Sequence, residues 1–333
     1  MEENDKGTVC VTGGTGYIAS WLIKSLLQHG YSVRATVRSH PESEDLSYLI
    51  NLPEASKRLQ IFHADLNESS SFDTAIEGCI GVFHLAHPMD VNGIEPEDIV
   101  TKRAMEGTLG ILKACLKSKT VKTVVYTSSA ATVLFNGNNN ISGIDMVDEE
   151  MWSDIEICRD SNLISSSYLV SKILCERAAL EFGEQNGLEV VSLILPLVVG
   201  PFICHNIPSS VYIALAMILG DQSLYKYLTN SYMVHIDDAT SALIFLFEYG
   251  NANGRYICSS DQISFYQMYE LICQRYPGFH IALPKKNSNC DQKFSSLSSR
   301  KLLNAGFKFK YGINEMFDGA IQCCKEKGII KFI

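Results

Sequence analysis

The stretch Thr8 to Ala19, reading Thr-Val-Cys-Val-Thr-Gly-Gly-Thr-Gly-Tyr-Ile-Ala, limits what this chain can fold into more than any other. Thr8 to Thr12 is an apolar, β-branched run of strand length. From Tyr17 to His29 the apolar residues Ile18, Leu22 and Leu26 recur at helical spacing. A glycine-rich turn between a strand and a helix seats a phosphate. Gly13 permits the tight turn, and Gly16 lets backbone N–H groups approach a pyrophosphate. Ala19 is small enough for the helix to pack on the strand while its N-terminal dipole faces the anion. The turn predicts a dinucleotide site drawing on Gly13, Thr15, Gly16, Tyr17 and Ile18.

Downstream, strand and helix patterns alternate. Strands are expected at Ser32–Val37, Leu59–His63, Gly81–Ala86, Thr123–Thr127 and Glu189–Leu195. Helices are expected around Ser71–Ile76, over Asp98–Ser118 with Met105, Leu109, Leu112 and Leu116 on one face, and over Ser167–Asn186. This is the signature of an α/β fold, a doubly wound parallel (Rossmann) sheet with right-handed crossovers. After Pro196 the alternation loosens into shorter helices near Ser209–Leu219, Asp237–Glu248, Ser264–Tyr276 and Ile313–Lys327. The natural division is a dinucleotide-binding domain over residues 1–195 and a smaller, mixed, mainly substrate-binding region over 196–333.

A formal net charge of −9 leaves no basic surface to track a nucleic-acid backbone, so nucleic acid is not an expected partner. The apolar run Leu188–Val199 is too short to span a bilayer and contains Pro196, so no membrane partner is expected either. Residues 1–7 lack the pattern of a secretory signal, and the eleven scattered cysteines read as buried thiols in a reducing cytoplasm. Nothing in the sequence fixes an oligomeric state, and a monomer would suffice.

In this fold an acid at the end of the second strand takes the ribose hydroxyls of NAD, whereas an arginine takes the 2′-phosphate of NADP. Here the strand runs out into Arg38, which predicts NADPH. Asp65 and Leu66, ending the third strand, would lie beside the adenine, unless Asp65 is an ordinary loop aspartate. Tyr168 and Lys172 stand one helical turn apart, so the ammonium can favour phenolate and hold a ribose hydroxyl. Chance alone supplies about one Tyr-x-x-x-Lys in such a composition, so the pair gains weight only from its setting. That setting is Tyr126-Thr127-Ser128-Ser129-Ala130, leaving the fifth strand at the carboxyl edge of the sheet. A hydroxyl there can bind a carbonyl oxygen while the phenol protonates it, so that hydride reaches the carbon. His84 and His87 have H-x-x-H spacing but no third ligand nearby, so His84 reads as a satisfied core histidine and no metal is expected. His235 precedes a helix expected to be capped by aspartate.

These residues meet a family. Along nearly its whole length the chain resembles the extended short-chain dehydrogenase/reductases, and within them the plant dihydroflavonol reductase-like group. The resemblance rests on the stretches VCVTGGTGYIASWLIKSLL, YSVRATVR, FHLAHPMD, YTSSA, YLVSK, LVVGPF and VHIDD. The stretches EPEDIVTKR, ILKACLKSKTVK and EFGEQNGLEVV look most like the vestitone reductases of that group. It implies Ser129, Tyr168 and Lys172 as the catalytic set. It also implies cofactor contacts from the glycine turn, Arg38, Asp65, Leu66, Leu85, Ala86, Leu195, Val198 and Ser210. Three departures bear on specificity. Leu134 stands where relatives carry Asn or Asp for the B-ring hydroxyls of a dihydroflavonol, and His87 stands where Ser or Thr is usual; both are expected on the substrate side. Glu42, Glu44 and Asp45 stand where relatives often place a second basic residue for the 2′-phosphate, which leaves NADH open as cofactor.

The expected function is reduction of a ketone of an aromatic plant metabolite, flavanone- or isoflavanone-like, by NADPH. The same residues could run NAD(P)+-linked oxidation of an alcohol or hemiacetal, and a cofactor-binding regulator without turnover is the alternative from another class.

Overall fold

The computed structural model describes residues 5–38, 45–88, 95–136, 146–160, 166–279, 281 and 295–330. Its centre is a seven-stranded, wholly parallel sheet of β1 (Thr8–Thr12), β2 (Ser32–Val37), β3 (Leu59–His63), β4 (Gly81–His84), β5 (Thr123–Ser129), β7 (Glu189–Leu195) and β10 (Gly254–Ile257). β6 (Met146–Val147) pairs instead with β12 (Ser296–Leu297), and β8 (Leu197–Val199), β9 (Asn230–His235) and β11 (Asp261–Ser264) form a small mixed sheet. The order β10-β7-β5-β4-β1-β2-β3 reverses direction between β1 and β4. Crossovers leave in opposite senses there and open a crevice at the carboxyl edge, where ligands of such sheets bind.

Strand alternation explains the two faces. Val9, Val11, Phe83, Val125 and Leu193 point to one side, against the helix Tyr17–Gln28 and the helix Ile236–Glu248. Cys10, Val82, Val124 and Tyr126 point to the other, against the helices Glu97–Ser118 and Ser166–Asn186. A separate core, with Phe202, Met217, Met233, Phe265, Met268 and Phe317, lies under the small mixed sheet, and Tyr17 packs against both this core and that of the main sheet. Among the described residues, no helix is long and apolar enough to cross a membrane.

The expected strands and long helices form within a few residues of the predicted bounds, with instructive differences. The fourth strand ends at His84 rather than Ala86, because the Thr12 hydroxyl takes the N–H groups of Leu85 and Ala86 out of the ladder. The face that Glu97–Ser118 buries runs through Ala104, Ile111 and Cys115; Met105, Leu109 and Leu116 flank it half-buried, and of the expected stripe only Leu112 is fully covered. The expected Ser209–Leu219 helix is interrupted at Leu215. The helix after His235 is capped by the His235 imidazole itself, whose Nδ1 accepts the Asp237 N–H at 3.1 Å. Asp237 is engaged elsewhere, by the Trp21 indole N–H at 2.7 Å.

Candidate active site

Thr12, the last residue of β1, is fully buried and ties the crevice together. Its Oγ1 accepts the N–H groups of Leu85 at 3.1 Å and Ala86 at 3.0 Å and lies 2.9 Å from His84 Nδ1. Burial drives the His84 pKa down to about 3, so the ring is neutral, with Nε2 facing Thr108 Oγ1 at 3.3 Å. This is the satisfied core histidine expected from sequence. Among the described residues, no group of three or more His, Cys, Asp or Glu could hold a metal ion.

The glycine turn follows. Gly13 has φ +71, and a Cβ there would sit 3.0 Å from the Ala86 Cα. A Cβ on Gly14 would meet the Ala35 methyl at 3.2 Å and the Ile23 Cδ1 at 3.3 Å, so its neighbours would have to give by a few tenths of an ångström. Gly16 caps the 12-residue helix Tyr17–Gln28, which has no side-chain cap and no acid in its first turn. The positive helix end is therefore left for an external anion, and the residues fit a dinucleotide pyrophosphate. Thr15 and Ile18 are half-buried beside it, and the Tyr17 hydroxyl is buried without a partner.

The other expected cofactor residues fall around this crevice. Arg38 is exposed at the end of β2. Glu42 and Glu44 lie outside the described residues, while Asp45 accepts the Ser47 N–H at 2.8 Å and pairs with His205 at 3.1 Å. The Asp65 Oδ1 is occupied by the Asn67 N–H at 2.7 Å, as in an ordinary Asx turn. Leu66 packs so closely on Gly107 that a Cβ there would lie 2.8 Å from its Cδ2. The side chains of Leu195 and Val198 are buried in the core, and the Leu195 carbonyl accepts the Ala130 N–H at 2.8 Å. Ser210 donates to the Val198 carbonyl at 2.7 Å.

Ser129 ends β5 two strands from the turn, and its Oγ accepts the Ala131 N–H at 3.2 Å. Across from it, the first turns of Ser166–Asn186 present Tyr168 and Lys172. Burial raises the Tyr168 phenol above its ordinary value, and a hydrogen bond with Ser129 opposes that rise. Lys172 is buried, donates to the Thr127 carbonyl at 2.9 Å and lies 5.4 Å from the Tyr126 ring centre; burial pulls its pKa down to about 8. Serine, phenol and lysine are thus brought together. The acidified phenol expected from sequence is not found, because burial outweighs every other influence on Tyr168 and the ammonium is directed to a backbone carbonyl.

His87 stands edge-on to Tyr168 with ring centres 5.7 Å apart, and its Nε2 lies 3.0 Å from Ser171 Oγ. Burial and the neighbouring Lys172 push it well below the usual histidine range, so it is neutral. Ser171 is a site neighbour that spacing missed; its place one turn from Tyr168 was the available signal. Leu134 ends the short helix Ala131–Leu134, half-buried against a cluster with Val133, Val147 and Ile257.

Residues 9–258 match the NAD dependent epimerase/dehydratase family. The chain belongs to that family. It is similar to Protein BRI1-5 ENHANCED 1 of Arabidopsis thaliana, 54% identical over 98% of this chain and 91% of that one. It is similar also to vestitone reductase of Medicago sativa, 49% identical over 98% of this chain and 99% of the other. Dihydroflavonol 4-reductase of Callistephus chinensis is 44% identical over 100% of this chain and 90% of its own. The crystal structure of alfalfa vestitone reductase superposes with a TM-score of 0.84, covering 98% of this chain and 100% of that one at 46% identity. The chain is therefore an NAD(P)-dependent oxidoreductase of the extended short-chain dehydrogenase/reductase type, in the dihydroflavonol reductase-like group, acting on a small molecule.

Proposed function

We propose that this oxidoreductase is a cytoplasmic NADPH-dependent reductase of a ketone in an aromatic plant metabolite, flavanone- or isoflavanone-like, giving the alcohol. The observation that carries the reading is the convergence of Ser129, at the end of its strand, with Tyr168 at the carboxyl edge, above a buried Lys172 that donates to the Thr127 carbonyl at 2.9 Å. NADPH, when bound, supplies hydride. Its pyrophosphate would rest on the turn Gly13 to Ile18 and its 2′-phosphate on Arg38, which can bind it bidentately. Ser129 donates to the carbonyl oxygen as negative charge grows there, and Tyr168 gives that oxygen a proton. At neutral pH the phenol is protonated, as a general acid must be. Lys172 supplies positive charge beneath the site and would hold a ribose hydroxyl.

Within residues 196–333, Gly254–Ile257 and the helix Ile236–Glu248 complete the dinucleotide-binding unit, and the rest mainly builds the substrate side. His87, neutral beside Tyr168, and Leu134 line the pocket beyond the carbonyl. An apolar wall at Leu134 leaves catechol hydroxyls without partners, which favours substrates lacking them or carrying methoxy or methylenedioxy groups. The test is incubation with NADPH or NADH and a panel of flavanones, isoflavanones and dihydroflavonols, following cofactor consumption and alcohol product. Turnover of a ketone, faster with NADPH, is expected. Failure to reduce any ketone, together with oxidation of an alcohol or hemiacetal by NAD(P)+, would assign the reverse reaction.

A further inference from the structure

A fully buried ion pair lies directly behind the Ser129 strand exit. Glu176, on the Ser166–Asn186 helix one turn beyond Lys172, has no exposed surface, and Arg255, on β10, is 6% exposed. The carboxylate uses both oxygens twice: Oε1 accepts from Ser192 Oγ at 2.5 Å and Arg255 Nε at 3.0 Å, and Oε2 accepts from Ser128 Oγ at 2.8 Å and Arg255 Nη2 at 3.2 Å. The guanidinium is equally spent. Nη1 donates to the Met151 carbonyl at 2.6 Å and the Glu149 carbonyl at 3.0 Å, Nη2 also donates to Thr132 Oγ1 at 2.9 Å, and the plane lies 3.6 Å from the Trp152 ring centre. Thr132 passes the link on, donating to the Ser129 carbonyl at 2.9 Å.

Hydrophobic residues of like volume fill such a site with equal or greater stability, so stability alone is a weak reason for a buried pair. What this pair does that a leucine could not is fix directions. It joins β5, β7, β10, the Ala131–Leu134 helix, the 149–151 segment and the Tyr168 helix at one point, just behind the hydroxyl that must meet the carbonyl.

We infer that Glu176 and Arg255 are positioning residues for the reduction, holding Ser129 through Thr132 in register with Tyr168. The inference rests on the proposed role of Ser129 and Tyr168. A second consequence concerns Lys172. Around its ammonium stand Cys175 and Glu176 of its own helix, Tyr126 and the Thr127 carbonyl of β5, and the neutral His84 and His87. Cys175 and then Glu176 favour the charged form against burial, so Gln at 176 lowers the Lys172 pKa further; because that ammonium supplies the positive charge beneath the site, the alkaline limb set by its loss of a proton moves to lower pH.

The test uses two isosteric variants, Thr132→Val and Glu176→Gln, in the full chain, with Tyr168→Phe measured on the same substrate. A displacement on the scale of an ångström costs up to about a hundredfold in rate. The expected results are kcat at least about tenfold lower in both variants with NADPH affinity within about twofold of wild type, and a downward shift of the alkaline limb only in Glu176→Gln. Wild-type kcat per folded molecule with an unmoved limb, whatever the loss of thermal stability, would overturn the inference. If Glu176→Gln does not fold, Thr132→Val alone decides through kcat. If Tyr168→Phe keeps its turnover, the reading of the site itself has failed, whereas an inactive Tyr168→Phe beside fully active Thr132→Val and Glu176→Gln sinks only the positioning role.

Discussion

Thr12→Val would replace a hydroxyl by a methyl of equal size at a fully buried position. Three groups then lose their partner at once: the N–H of Leu85, the N–H of Ala86 and the Nδ1 of His84. Each buried polar group left unpaired costs about 1–3 kcal/mol. The losses are not additive, since residues 85–88 can relax toward water, so a net destabilisation of about 3–5 kcal/mol is expected. Thr12→Ser keeps all three bonds and removes one buried methyl, for about 1 kcal/mol. Urea unfolding of wild type and both variants reads this as a shift in midpoint at constant slope. Because Ala86 lies against Gly13, relaxation of that segment also loosens the pyrophosphate seat, and Thr12→Val should bind NADPH more weakly than Thr12→Ser. A valine variant within about half a kcal/mol of wild type, or a serine variant as damaged as valine, would refute the reasoning.

Arg38→Ala should weaken NADPH about tenfold or more and NADH far less, by loss of a charge-assisted bond; equal losses in calorimetric titration would mean that Arg38 does not read the 2′-phosphate. Leu134→Asn should narrow the gap in kcat/KM between a substrate lacking B-ring hydroxyls and a dihydroflavonol; a variant that loses stability at an unchanged ratio would make Leu134 ordinary core. His84 is held near pKa 3 when folded against an ordinary 6.5, so the unfolded chain takes up the proton first. Stability present above about pH 6.5 should therefore fall as the pH drops toward 3, by up to about 1.4 kcal/mol per pH unit from this residue, and a urea midpoint flat from about pH 7 to 4.5 would contradict it.

Much of this was legible in the sequence, because the parallel sheet announces itself through short β-branched runs separated by 3.6-residue periodicity. The glycine turn was legible because only glycine tolerates the φ of Gly13 and its approach to Ala86. The small strands β8, β9 and β11 were not, since three to six residues beside Asn- and Ser-rich loops carry too little alternation to separate from a turn. Nor could spacing reveal that the Thr12 hydroxyl ends β4, that the His235 ring caps a helix, or that Glu176 meets Arg255, whose positions are 79 residues apart. These depend on which chain segments meet in space. Arg255 did leave a trace: a guanidinium inside the strand Gly-Arg-Tyr-Ile needs a buried acid, and Glu176 follows Lys172 by one turn. The neutral phenol was hidden for the same reason, since sequence spacing places Lys172 near Tyr168 and says nothing of how deeply both are buried.

Tyr168 is proposed to protonate a substrate ketone as hydride arrives from NADPH. The most direct measurement is the turnover of Tyr168→Phe with NADPH and the best ketone of the panel, alongside its cofactor affinity. The expected result is kcat lower by about a hundredfold or more with NADPH binding nearly unchanged, and a variant that binds NADPH and keeps most of its turnover would contradict it.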